Sequence, residues 1–273
     1  MSRIERALER AANRRTTPMP NTAEEKITPY IPEAQEGLSF APANPCVVSS
    51  QDIHSPAAEE YRKLKTAVLR LTKSEFRNLV MVTSPLSGEG KSITSINLAI
   101  TMAQELNQTV LLVDADLRRP ALQHYLNLAP AAGIAECLAD HMDVGDAIVK
   151  TGIPKLSFLG AGKEVNNPAE LLSSYRMKDL LAELKNRYRD RYVIIDTPPV
   201  LPFAETRALC AMVDGVLVVA REGASSLQDV RDALESLQGG LLLGMVYNGS
   251  TAPSPASRYG YYGYAYARRQ GTE

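Results

Sequence analysis

The chain has 273 residues, 45% of them hydrophobic, with 30 basic and 31 acidic side chains and a formal net charge of −1. That length supports one large domain with appendages, and the near-even charge gives no electrostatic ground for nucleic acid as a partner. Its three cysteines lie far apart without metal-ligand spacing, which argues against a disulfide framework or thiolate metal site and suits a reducing compartment.

No apolar run approaches the roughly 18 to 20 residues that span a bilayer, and the opening MSRIERALERAANRR is too charged for a secretory signal. A cytoplasmic protein is expected. Residues 1–14 set Ile4, Ala7, Leu8 and Ala11 on one helical face among charged residues, a short amphipathic helix. Residues 15–50 carry six prolines and no sustained periodicity and read as a linker. The folded domain is expected over 51–248, followed by a flexible tail over 249–273.

A helix begins at HSPAAEEYRKLKTAVLRL. Ser55 can cap it, Pro56 suits the first helical position, and Tyr61, Leu64, Val68 and Leu71 recur at helical spacing. Short β-rich runs then alternate with helical patterns: NLVMVT, a helix from about Lys91 to Leu106, TVLLVD, KLSFLG, YVIID, DGVLVVA and LLLGMVYN. The strands are apolar on both faces, as buried parallel strands are. The expected class is α/β, with a mostly parallel central sheet and helices on both faces.

NLVMVT runs into SPLSGEGKSITSINLA, a phosphate loop of the Walker A kind spanning Gly88, Glu89, Gly90, Lys91, Ser92 and Ile93, so the α/β fold is expected to be P-loop NTPase-like. Glycines let backbone N–H groups wrap phosphate oxygens, a lysine reaches the β and γ phosphates, and a hydroxyl ligates Mg²⁺. Pro85 stands where the motif has its first glycine. Two other strands end in Asp114, followed by Asp116, and in Asp196. Ligands gather at the carboxyl ends of strands in an open parallel sheet, so the three aspartates should share a crevice with Lys91 and hold Mg²⁺ or accept a proton. A lone strand-end aspartate is usually a cap or turn residue; three beside a phosphate loop point to nucleotide.

The tail holds Tyr259, Tyr261, Tyr262, Tyr264 and Tyr266 within its last fifteen residues, spaced by glycine and alanine. Taken alone, this reads as an inert or sticky low-complexity end. Together with DADLRRP, IIDTPP and the EGKS loop, it resembles the bacterial tyrosine kinases, and GLLLGMVYN and NNPAELLSS are similar to further segments of that family. The resemblance runs over about residues 50–266. The first helix and linker resemble, more weakly, the variant attached to exosortase-linked exopolysaccharide clusters.

The resemblance implies an ATP- and Mg²⁺-dependent autokinase that phosphorylates the five tail tyrosines, between subunits, and regulates exopolysaccharide synthesis or export. It implies that Lys91 contacts the β and γ phosphates, Ser92 ligates Mg²⁺, and Asp116 and Asp196 hold the metal through water. Asp114 is then the candidate proton acceptor, with the choice between Asp114 and Asp116 left open. Asn248 is a candidate adenine contact or a turn residue. Glu59, Arg62 and Lys65 occupy the family's subunit-joining stripe, with a lysine in the place of its second arginine. A homo-oligomer is implied, activated by a separate transmembrane chain-length regulator at the inner face of the plasma membrane, with the 1–14 helix a candidate docking element. Two rivals stand beside this reading: a partitioning or positioning ATPase switch of the same fold, disfavoured by Leu86 where such proteins carry a signature lysine, and a non-catalytic ATP-binding scaffold.

Overall fold

The computed structural model describes residues 44–75, 77–187 and 190–251. The 1–14 helix, most of the linker and the five tail tyrosines lie outside the described residues.

Among the described residues, seven strands form one sheet: β1 (Leu79–Thr83), β2 (Thr109–Asp114), β3 (Ile148–Lys150), β4 (Leu156–Leu159), β5 (Arg191–Asp196), β6 (Gly215–Arg221) and β7 (Leu242–Asn248), in spatial order β3-β4-β2-β5-β1-β6-β7. Every pairing is parallel except β3 with β4. Six of the seven are the β-rich runs read from the sequence. The parallel strands therefore deliver Thr83, Asp114, Asp196, Arg221 and Asn248 to one edge of the sheet.

Alternation along each strand shows why both faces had to be apolar. Met81, Leu111, Val113, Val193, Ile195 and Val218 enter one core layer, and Val80, Val82, Leu112, Ile194, Leu217 and Val219 enter the other, all at most 3% exposed. The first layer is closed by side chains such as Leu138, Leu181, Leu184, Leu209 and Ala233, and the second by Val68, Ile96, Ile100, Leu122 and Leu126. Each fully buried aliphatic side chain is worth about 1.5–3 kcal/mol of transfer free energy, so the two layers lock the register that sets the site.

The helix Pro56–Thr72 starts as its sequence predicts, with the Ser55 hydroxyl accepting from the Ala58 N–H at 3.2 Å and Pro56 at the first helical position. The helix after the phosphate loop runs Lys91–Ala103, three residues short of the expected end; Leu106 is 86% exposed, so no core contact extends the last turn. The segment read as the end of the linker is docked instead. Val48–Gln51 is helical, Val47 is fully buried, and the buried Asn97 accepts from the Ser49 N–H and donates to the Cys46 carbonyl, both at 2.9 Å. Four helical residues beside Pro42 and Pro45 are too few to show a period.

Candidate active site

The phosphate loop leaves β1 at Thr83 and enters the helix at Lys91. Gly88 (φ +83°) and Gly90 (φ +93°) take left-handed backbone that a side chain would strain, and space is open where a Cβ at Gly88 would stand. Such a turn directs successive N–H groups to one side, the geometry of an anion nest at a helix N-terminus. Pro85 replaces the motif's first glycine without loss of anchorage, because its carbonyl accepts from the Leu201 N–H at 3.3 Å in the loop after β5.

Four predicted residues meet at one point. The Lys91 ammonium lies 2.8 Å from Asp116 Oδ2 and 3.5 Å from Asp196 Oδ2, and the Ser92 hydroxyl donates to Asp196 Oδ2 at 2.6 Å. Ser95 donates to the other Asp196 oxygen at 3.1 Å. Burial alone would lower the Lys91 pKa, but the charges of Asp196 and Asp116 outweigh it and the ammonium is held above its ordinary value. Asp196 is raised by burial, with Lys91 and the Ser92 hydroxyl opposing.

Asp114 sits just behind this cluster, wholly buried. Oδ1 accepts from the Asp116 N–H at 3.2 Å, and Oδ2 from the Ala121 and Leu122 N–H groups at 3.1 Å each. Burial, and next the charge of Asp196, push its pKa up to about 8, against the opposing pull of the Leu122 N–H and Lys91. Three of its roughly four acceptor positions are used, which leaves one.

Other predicted residues stand apart from that cluster. Glu89 is fully buried in the loop, and Asn248 donates to the Glu89 carbonyl at 2.8 Å. Ile93 supplies a carbonyl to Asn97 at 2.9 Å. On the helix Pro56–Thr72, Glu59 and Arg62 form an ion pair at 2.6 Å, while Lys65 pairs with Glu105 of its own chain. Arg118, four residues beyond Asp114, pairs with the buried Glu205 and lies 4.6 Å above the Phe203 ring. Sequence reasoning missed Glu205 and Phe203, whose first-turn glutamate and aromatic look like ordinary helix-start residues.

Residues 78–239 match the family model described as AAA domain. The chain is 36% identical over 219 residues to the tyrosine-protein kinase YwqD of Bacillus subtilis, covering 80% of this chain and 91% of the relative. The chain belongs to the bacterial tyrosine kinase family. This kinase-family chain is also 36% identical over 209 residues to a putative tyrosine-protein kinase EpsB of Ralstonia solanacearum, covering 76% of this chain but only 27% of that longer relative. Among solved structures, the kinase domain of the Escherichia coli tyrosine kinase ETK superposes with a TM-score of 0.71 at 30% identity, covering 76% of this chain and 83% of that one.

Proposed function

We propose that this chain transfers the γ-phosphoryl group of ATP to tyrosines of its own tail, on a neighbouring copy, in support of exopolysaccharide synthesis or export. The observation that carries the proposal is the route of β7. It runs parallel to β6, ends at Asn248 against the phosphate loop, and so roots the tail at the nucleotide edge. From Thr251 to Tyr259 is eight residues, a reach of roughly 26–29 Å when extended, so tyrosines on small-residue spacers can enter a crevice of a neighbour.

The residues fit magnesium nucleotide. Lys91 already places a cation between Asp116 and Asp196, so the carboxylates are arranged for positive charge, and the Ser92 hydroxyl points at the same oxygen. Ser92, Asp116 and Asp196 would hold Mg²⁺, whose charge supports the phosphates. Lys91 turns from its carboxylates to the β and γ phosphates. The tyrosine oxygen bonds to the γ-phosphorus, the bond to the bridging oxygen breaks with its electrons leaving on ADP, and the phenolic proton passes to Asp114. Once ionised, Asp114 has one acceptor position left, and a proton affinity close to the working pH suits a group that must take up the phenolic proton.

Among the described residues no helix is long and apolar enough to cross a membrane. On the family resemblance, a separate transmembrane chain-length regulator activates the kinase, with residues 1–14 a candidate docking element. Glu59 is exposed, whereas Arg62 is half-buried and donates both to Glu59 and to the Ile53 carbonyl at 2.7 Å, and Lys65 is held by Glu105, so pairing with a neighbouring copy would exchange contacts made within the chain. Mixing Lys91→Met protein with an active chain truncated after Thr251 tests transfer between copies. Phosphotyrosine should accumulate on the Lys91→Met tails, and an unlabelled mixture overturns transfer in trans.

A further inference from the structure

The carboxylate of Glu89, fully buried, is engaged by three donors from three places: the Leu86 N–H at 2.9 Å within the phosphate loop, the Arg221 N–H at 3.2 Å at the end of β6, and the Ser225 hydroxyl just beyond. A buried carboxylate without partners is costly, and three donors satisfy this one. Its backbone carbonyl accepts from the Asn248 side-chain amide. The other end of that amide accepts from the Gly249 N–H at 2.8 Å, and the Asn248 carbonyl accepts from the Glu222 N–H at 2.9 Å. A Cβ on Gly90 would stand 2.1 Å from Asn248 Nδ2, so the amide fills the space this glycine leaves.

We infer that Glu89 is a positioning residue that braces the phosphate loop against the ends of β6 and β7, and that Asn248 completes this brace rather than reading the adenine ring. The inference rests on the nucleotide site proposed above and deepens it. Both polar ends of the Asn248 side chain are occupied by the protein's own backbone, and the three donors to the Glu89 carboxylate tie the loop to the end of β6 and the segment after it. A braced loop is ready for phosphate. Without the brace only a fraction of molecules hold the loop in binding shape, and the nucleotide dissociation constant rises by the reciprocal of that fraction, whatever the base. Once nucleotide is bound, the loop is restored and the maximal rate is kept.

The test uses the full chain with Mg²⁺. N-methylanthraniloyl ATP and GTP are titrated, and tail phosphorylation is followed across ATP concentration, for wild type, Glu89→Gln, Ser225→Ala and Asn248→Ala. Glu89→Gln and Asn248→Ala should weaken ATP and GTP by the same factor, about tenfold, and Ser225→Ala by about threefold, as for loss of a hydrogen bond to a charged or buried group. The maximal phosphorylation rate should stay within about twofold. The double variant Glu89→Gln with Ser225→Ala should bind no more weakly than Glu89→Gln alone, since the two share one contact. Folded variants with wild-type affinities overturn the brace, as does a fall in maximal rate at unchanged affinity. Weakening of ATP alone in Asn248→Ala makes Asn248 an adenine reader and overturns its part. If Glu89→Gln loses its cooperative melting transition, Ser225→Ala, which leaves the carboxylate in place, decides. Wild-type protein that binds nucleotide but labels no tyrosine refutes the kinase reading while the affinities still judge the brace; wild type that binds no nucleotide refutes both.

Discussion

The Lys91 ammonium and the Asp116 carboxylate face each other at 2.8 Å, joining the phosphate loop to the turn after β2. Both side chains are nearly buried, 11% and 6% exposed, and Asp196 stands 3.5 Å from the same nitrogen. The resting site thus holds its own cation. Lys91→Met removes it and leaves two buried carboxylates with hydrogen-bond donors but no counter-ion, a loss of about 3–5 kcal/mol for a broken buried pair unless the carboxylates take up a proton. Tail phosphotyrosine should vanish. Added MgCl₂ without nucleotide should raise the melting midpoint of Lys91→Met more than that of wild type, because the metal replaces the missing charge; equal shifts would show that these carboxylates do not bind it.

Asp114 makes stability depend on pH. Its folded pKa of about 8 lies above its ordinary value of 3.8, so between about pH 4 and pH 8 the folded chain keeps a proton that the unfolded chain has released. Stability from this group is complete below about pH 4, falls as pH rises through the window, and levels off above about 8. Asp196, raised in the same direction, adds to the slope. Urea midpoints of the nucleotide-free wild type should therefore fall more steeply from pH 5 to pH 8 than those of Asp114→Asn. Parallel profiles would contradict the assignment. Under saturating Mg²⁺ and ATP, Asp114→Asn should form phosphotyrosine at least about 100-fold more slowly, the usual contribution of a general base.

Phosphorylation should change the assembly through charge. From Arg258 onward the tail carries three arginines and one glutamate, a formal +2 suited to a crevice lined by aspartates and ATP. Each phosphate adds about −1.5 to −2, so five add roughly −7.5 to −10 and reverse the sign of the tail. Unphosphorylated protein should self-associate and heavily phosphorylated protein should dissociate, with added salt weakening the difference. Light scattering on Lys91→Met protein against autophosphorylated wild type reads this directly, and equal masses at matched concentration and salt would remove the switch.

Much of this architecture was legible because burial on both faces of a parallel strand leaves continuous apolar runs such as YVIID, and because the EGKS loop and strand-end aspartates are contiguous signals. β3 was not. It has three residues, all only partly buried, paired antiparallel at the sheet edge, too short to show a pattern. The docked Val47–Ser49 segment was hidden by its prolines, and its anchor, Asn97, lies 48 residues from Ser49. At the site, the Lys91, Ser92, Asp116 and Asp196 cluster follows from topology alone. The contacts of Glu89 with Arg221 and Ser225 span 132 and 136 residues, and nothing local distinguishes this glutamate from a solvated loop residue.

The central claim is that the site around Lys91 phosphorylates the tail tyrosines. Wild type and Lys91→Met, each purified from cells lacking other tyrosine kinases, are incubated with ATP and Mg²⁺, and phosphate is mapped by mass spectrometry of the tail peptides. Phosphate should appear on Tyr259, Tyr261, Tyr262, Tyr264 and Tyr266 in wild type and be absent from Lys91→Met. Wild-type protein that hydrolyses ATP while all five tyrosines stay unmodified, or Lys91→Met protein labelled at the wild-type rate, would contradict it.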